Sequence, residues 1–221
     1  MKKITLLFSG ILVLQIANAQ VVKGSIFTGG SVGINSSETE NSNGDKMTGI
    51  NWNIAPQIGK AIQQNKVIGI EFLIGGVTNK NNNSIGNVSK NSSNQYGVGI
   101  FYRQYFPIYK KWMFYGQTNA GVNLSNATLI NNSIKFSKTN TLGINITASL
   151  GITYQVSKKL WLEAGLSNLV AIGYNHQKSN NYSSTGVVIS SFKTNNVAAN
   201  FNLNGTNNFG FGFRWILPAK G

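Results

Sequence analysis

Cysteine, histidine and acidic residues are almost missing from this sequence. Among 221 residues there is no cysteine, one histidine and five aspartates and glutamates together. Disulfide bonds and thiol chemistry are therefore excluded. The single histidine, His176, leaves a Ser-His-acid site with one candidate base that has no carboxylate near it in sequence. We expect no enzyme activity and no cofactor, and we interpret His176 as a solvated loop residue.

Metal ligands are equally scarce. A zinc site needs several cysteines or histidines, which the chain does not have. Oxygen ligation of calcium would depend on Glu38, Glu40 and Asp45, in the segment "SSETENSNGD" (36–45). The spacing of these acids does not match a calcium-binding loop, so the sequence predicts no metal site.

Charge is low in amount and strongly one-sided. Charged residues make up 11% of the chain, and the formal net charge is +14; an average protein has about 25% charged residues. Such a balance suggests nucleic acid or anionic lipid as a partner. Only two of the basic residues are arginines, and the lysines are scattered without a basic helix or interleaved aromatic residues. We therefore exclude nucleic acid as a partner and retain lipid as the expected partner.

The chain also lacks an apolar run long enough for a membrane-spanning helix. Its N-terminus, "MKKITLLFSGILVLQIANAQ", has two lysines, an apolar run and a small-residue site at Ala17-Asn18-Ala19. The run of about 13 residues falls short of the roughly 20 that span a bilayer. The pattern favours a cleaved signal peptide over residues 1–19 rather than an anchor. Residues 20–221 then form one domain, and any membrane role must be played by strands.

Strand-like alternation dominates the rest of the chain. In "TLGINITASLGITYQV" (141–156), apolar and polar residues alternate almost without a fault. A period of two is that of a β-strand, because successive side chains point to opposite faces. Comparable segments predict an all-β fold with eight strands: 23–35, 47–59, 66–78, 95–106, 112–124, 141–156, 160–174 and 207–217.

Long and short connections alternate between these strands. The long ones are 36–46, 79–94, 125–140 and 175–206, and the short ones are 60–65, 107–111 and 157–159. Long loops at one rim and tight turns at the other are typical of outer-membrane barrels. We therefore predict an eight-stranded antiparallel transmembrane β-barrel with solvated loops outside the cell and turns in the periplasm. The segment 186–204 could form an extra hairpin, which would either extend the last loop or give ten strands.

Charge also indicates which strand face contacts lipid. The polar faces consist mostly of Gly, Asn, Ser, Thr and Gln, and their clear charges are Glu71, Arg103, Glu163 and Arg214. Faces exposed to water would carry more charge, so we expect the polar face to line the lumen. Since unpaired lumen charges are costly, we predict a Glu71–Arg103 pair and a Glu163–Arg214 pair. We expect these charges to plug a narrow barrel, with a selectivity gate as the alternative.

Aromatic residues near the short-turn ends predict an interfacial belt. They are Tyr102, Trp112, Phe114, Tyr154, Trp161 and Trp215. The core of a soluble protein would scatter aromatic residues along the strands instead.

Several segments together resemble a known family. They are "IAPQIGKAIQQNKVIGIEFLIGG" (54–76), "GVGIFYRQYFP" (97–107), "KKWMFY" (110–115), "LWLEAGL" (160–166) and "NFGFGFRW" (208–215). In order and spacing they are similar to small outer-membrane β-barrel proteins of the OmpX/OmpA-barrel type, often labelled porin-like. The resemblance implies eight strands, no cofactor and a Gram-negative outer membrane. Such barrels usually end on an aromatic residue recognised during assembly, whereas here "ILPAKG" follows Trp215.

The expected function is therefore non-enzymatic. We expect a monomeric barrel, inserted into outer-membrane lipid by the assembly machinery, whose polar loops at the cell surface serve interaction or adhesion with an extracellular ligand. The alternative is a small porin-like pore for solutes. A membrane-embedded enzyme acting on lipid is disfavoured by the single histidine.

Overall fold

The structure, a computed structural model, describes residues 20–201 and 209–218. The predicted signal peptide, residues 1–19, lies outside this range. The described residues contain no helix that is long and apolar enough to cross a membrane. They form strands β1 (Ile26–Glu40), β2 (Lys46–Gln63), β3 (Lys66–Asn82), β4 (Val88–Tyr109), β5 (Trp112–Asn131), β6 (Ile134–Gln155), β7 (Leu160–Tyr182), β8 (Val188–Phe201) and β9 (Phe209–Leu217).

These strands form a ring with eight positions. Sequential neighbours pair antiparallel from β1 to β7, and β9 pairs with both β7 and β1. Along one edge of β7, residues 160–166 pair with β9 and residues 170–182 pair with β8. Since β8 and β9 follow one another along this edge, they share one position. The predicted eight-stranded antiparallel barrel is confirmed.

The described part of the apolar segment 186–204 contributes one strand, β8, and not the two strands of an extra hairpin. β8 pairs along its length with the outer part of β7, with which it forms a hairpin around the turn at 183–187. The alternative of ten strands is therefore wrong. β9 pairs with β1 over residues 26–32 of β1, and in the described part of the chain no ladder joins β1 to β8. β8 thus adds height to the wall, whereas β9 closes the ring.

Alternation places apolar side chains on the outside of the ring. Ile70 on β3 lies opposite Ile58 on β2 and Ile100 on β4, and all three are about half exposed. Similar exposed apolar residues occupy the outward positions of the other strands. We call this surface the apolar band. A continuous band of this kind suits lipid, because soluble monomers rarely expose large apolar patches.

The predicted long loops are wrong in the described part of the chain, because their residues continue the strands; residues 202–206 of the last predicted loop lie outside the described residues. β3 runs to Asn82 and β4 begins at Val88, so the segment 79–94 is a hairpin with a five-residue turn. β6 and β7 reach 22 and 23 residues, about twice the 9–11 that cross a bilayer. Amide-rich segments have low β-propensity. Here the barrel already sets each partner and register, so continued pairing satisfies the backbone groups.

Three of the turns at the rim where the long hairpins end share one motif. They are 41–45 (NSNGD), 83–87 (NSIGN) and 183–187 (SSTGV). In each, the glycine N–H donates to the carbonyl of the first residue, whose own N–H donates to the carbonyl of the fifth. Gly44, Gly86 and Gly186 have φ values of +83°, +86° and +81°, a region that favours glycine. This rim is therefore built of tight turns on tall hairpins.

Candidate functional site

The inward face is apolar at the end of the barrel that carries the turns at 64–65, 110–111 and 156–159. Buried side chains there are Val21, Phe27, Ala61, Val67, Phe101, Tyr105, Met113, Tyr115, Trp161 and Ile216. We call this set the aromatic plug. The ring centroid of Tyr105 lies 5.5 Å from that of Trp161 and 6.4 Å from that of Phe27. These contacts pack this end of the lumen with side chains.

Three charged residues lie against the aromatic plug. Nη1 of Arg103 is 2.6 Å from Oε1 of Glu163, and Nη2 of Arg214 is 2.9 Å from Oε2 of the same carboxylate. The side chains of all three are at most 2% exposed. The guanidinium of Arg103 also lies 4.2 Å from the centre of the Tyr115 ring. This ion cluster joins β4, β7 and β9 across the lumen and has an excess of one positive charge.

Glu71 is held by amides rather than by an arginine. Its carboxylate accepts hydrogen bonds from Gln57, from Asn119 at 2.7 Å and from Gln117 at 3.5 Å. Gln117 Oε1 also accepts a hydrogen bond from Nε of Arg103 at 2.6 Å. The glutamine therefore connects Glu71 to the ion cluster.

Beyond these charges the lumen contains a cavity of about 330 Å³. Its lining includes Glu71 and the amides Asn53, Gln95, Asn123, Asn145 and Asn175. We call this cavity the amide cup. Asn145 Nδ2 donates to Asn123 Oδ1 at 3.2 Å. Amides offer both donors and acceptors, and Glu71, Arg103, Glu163 and Arg214 also line the cavity, so the cup can contact both neutral and charged polar groups.

One of the two predicted ion pairs is wrong. Arg103 pairs with Glu163 instead of Glu71, while the pair between Glu163 and Arg214 is present. The prediction paired residues on neighbouring strands. In a narrow barrel, however, long side chains reach across the lumen, and Glu163 lies within reach of both arginines.

The predicted place of Trp161 is also wrong. This side chain points into the lumen and is 1% exposed, so it belongs to the aromatic plug and not to an outward belt. It lies two residues from Glu163, and residues two apart in a strand share a face. The other belt residues lie on the outward face: Tyr102, Trp112, Phe114, Tyr154 and Trp215. Their role as a membrane belt stays a prediction.

His176 lies on β7 and not in a loop. Its Nδ1 hydrogen-bonds to Oδ1 of Asn195 on β8 at 2.8 Å, and the same oxygen accepts the hydroxyl of Tyr174 at 3.0 Å. The three side chains form a polar group on the outer wall. The expected solvated loop histidine is therefore wrong.

The acids of the first hairpin have structural partners. Glu38 pairs with Lys46 at 2.6 Å, and Asp45 accepts the backbone N–H of Ser84 at 2.8 Å. Within residues 20–201 and 209–218, no three His, Asp or Glu residues are placed to hold a metal ion.

The closed ring, the apolar band and the polar lumen define an eight-stranded transmembrane β-barrel of the outer-membrane type. The outer membrane protein OprG from Pseudomonas aeruginosa is similar, with a TM-score of 0.50 and 14% identity over 90% of this chain and 98% of OprG. Neisserial surface protein A (NspA) aligns over 90% of this chain and 99% of its own, with 15% identity and a TM-score of 0.37. No protein-family model and no curated protein matches the sequence. The likeness to OprG is one of fold.

Proposed function

We propose that the chain is an exported, non-catalytic outer-membrane protein of a Gram-negative cell. In this proposal residues 1–19 direct export, and the assembly machinery inserts the barrel as a monomer into outer-membrane lipid. The tall hairpins and the amide cup then face the exterior, where they serve surface interaction or adhesion. Kinship with OmpX/OmpA-type barrels belongs to the same proposal.

The packed lumen is the observation that carries this proposal. Seven residues at the short-turn end are bulky and fully buried: Phe27, Phe101, Arg103, Tyr105, Met113, Trp161 and Arg214. At eight strands a barrel has an interior just wide enough for side chains to fill. We therefore favour a closed lumen over a pore.

The hairpins support the surface role. β7 continues for eight residues beyond Tyr174, to Tyr182. At about 3.4 Å per residue and a tilt of about 45°, this extension rises roughly 20 Å. On β7 its residues are mostly amides and hydroxyls, whereas the neighbouring β8 also exposes Val188, Ile189 and Phe192. A tall wall of this kind presents side chains and backbone edges to molecules outside the cell.

Single-channel recording on the barrel in planar bilayers tests the closed lumen. We expect little steady conductance from the native protein, because the aromatic plug and the ion cluster fill the lumen. Trp161→Ala removes an inward ring and should raise the conductance. Trp112→Ala removes a ring of the same size from the outward face and should leave it unchanged.

A steady, voltage-independent conductance of the native barrel would contradict the proposal and favour the porin-like pore. Equal conductance of both variants would also contradict it, since the inward ring would then have no part in closing the lumen.

A further inference from the structure

One charged group on the floor of the amide cup is open to the cavity. Arg103 and Arg214 line the cavity, but their side chains are at most 2% exposed and both contact Glu163. Glu71 is only partly buried, and within the described residues no lysine or arginine forms an ion pair with it. A ligand that enters the cup therefore meets a carboxylate rather than a guanidinium.

The Glu71 carboxylate has room for a further hydrogen-bond donor. An ionised carboxylate offers about four acceptor sites. Three of them receive amide N–H groups, from Gln57, Gln117 and Asn119. Since the remaining site belongs to a charged group, it favours a cationic donor, which forms a stronger hydrogen bond than a neutral one.

The cavity wall beside this carboxylate has no side chains. Glu71 on β3 lies opposite Gly99 on β4, which in turn lies opposite Gly121 on β5. Both glycines line the cavity. Because glycine leaves its position on the wall empty, a ligand group has space next to the carboxylate.

Above Glu71 the lining changes from charged to apolar and then to amide. Leu73 follows Glu71 by two residues on β3, so it shares the inward face. Gly75 follows after two more, and its partners are Asn53 on β2 and Gln95 on β4. Four residues of a strand tilted by about 45° rise roughly 10 Å, so these amides lie at about that height above the carboxylate. The order suits a ligand with an ammonium at one end, methylenes in the middle and a second N–H donor at the other end.

Charge disfavours a ligand that also has a carboxylate. Among the described residues no lysine lines the cavity, and both of its arginines are engaged by Glu163. A ligand carboxylate would therefore find no free cation and would lie close to Glu71. The charges that line the cavity are two arginines and two glutamates. Their sum is zero, so they do not repel a cation as a group.

We propose that the amide cup binds a linear polyamine. One ammonium contacts Glu71, the methylenes pack against Leu73, and a second ammonium donates to the amide oxygens of Asn53 and Gln95. The inference rests on the proposed function, because it assigns a ligand class to the cup that faces the exterior.

Isothermal titration calorimetry on the full barrel in a non-ionic detergent tests this binding. The probes are putrescine and spermidine, compared with butylamine, with γ-aminobutyrate and with the diol that has the carbon chain of putrescine. We expect putrescine to bind at least about tenfold more tightly than any of these three, since each lacks an ammonium that the site receives.

Two variants locate the site. Glu71→Gln removes the charge and keeps the shape of the side chain. We expect its affinity for spermidine to fall about 10–100-fold, because a hydrogen bond to a charged group is lost. Glu40→Gln removes a carboxylate from the end of β1, outside the cup, and should bind as the native barrel does.

Several outcomes would overturn the inference. The cup has no such role if the diol or γ-aminobutyrate binds as tightly as putrescine, or if Glu71→Gln keeps its affinity while circular dichroism shows a folded barrel. Equal affinity for butylamine would refute the second contact, and equal competition by ammonium chloride would leave an adventitious cation only. Absence of polyamine binding would not change the conductance or the orientation of the barrel, so the proposed function is refuted by separate measurements.

Discussion

At the scale of single residues, Glu163 is the carboxylate at the centre of the ion cluster. Its carboxylate contacts Arg103 and Arg214 and also accepts the hydroxyl of Tyr105 at 3.3 Å. Alternation in the sequence predicted that Glu163 lines the lumen. It could not show which arginines the side chain reaches, because that depends on the width of the barrel.

Replacing this carboxylate should cost much more than replacing the other lumen acid. Glu163→Gln leaves two buried arginines uncompensated, so we expect unfolding free energy to fall by about 3–5 kcal/mol. Glu71→Gln replaces a carboxylate whose hydrogen-bond partners are amides, and we expect the unfolding free energy to fall by about 1 kcal/mol. Urea unfolding in detergent, followed by tryptophan fluorescence, measures both. Equal losses would show that the ion cluster does not depend on Glu163.

At the scale of elements, the polar hairpins differ most from their prediction. The segment 79–94 has the composition of a solvated loop. It has few apolar side chains that would have predicted strands. The turn motif in "NSNGD", "NSIGN" and "SSTGV" was a usable signal, since each has serine at its second position and glycine at its fourth. Composition misled because a barrel imposes pairing on whatever sequence continues the strand.

Hydrogen exchange separates a hairpin from a loop. We expect slowed exchange of amide protons in residues 88–94, because this part of β4 pairs with both β3 and β5. The turn residues Ser84 and Ile85 serve as an internal control and should exchange faster. Exchange of residues 88–94 as fast as at the turn would mean that the strands end near the apolar band.

At the scale of the whole molecule, the two rims differ in height and chemistry. The short-turn rim is packed with aromatic side chains, whereas the opposite rim carries tall polar hairpins. An outer-membrane barrel has its short turns in the periplasm. This asymmetry underlies the orientation in the proposed function.

Epitope insertion tests that orientation. An epitope within the turn at 83–87 should be labelled by antibody on intact cells, because this turn forms the tip of the β3–β4 hairpin. An epitope between Lys158 and Lys159 should be labelled only after the outer membrane is breached. The reverse pattern would show that the barrel is inserted the other way round.

By itself, the sequence determined the strand class and the face that meets lipid, and it favoured eight strands while leaving ten as an alternative. These follow from local patterns: the period of two, the scarcity of charge and the spacing of turns. It also placed Glu71, Arg103, Glu163 and Arg214 on inward positions, by alternation alone. Applied consistently, the same rule would have placed Trp161 inside with Glu163.

Only the tertiary structure decided the ion partners, the heights of the hairpins and the cross-strand neighbours of β8. Arg103 and Glu163 are 60 residues apart and meet only across the closed lumen. Lys178 and Lys193 become opposite neighbours only when β8 adopts its register on β7. Such contacts depend on curvature and register, which arise when many strands pair together and cannot be read from any one segment.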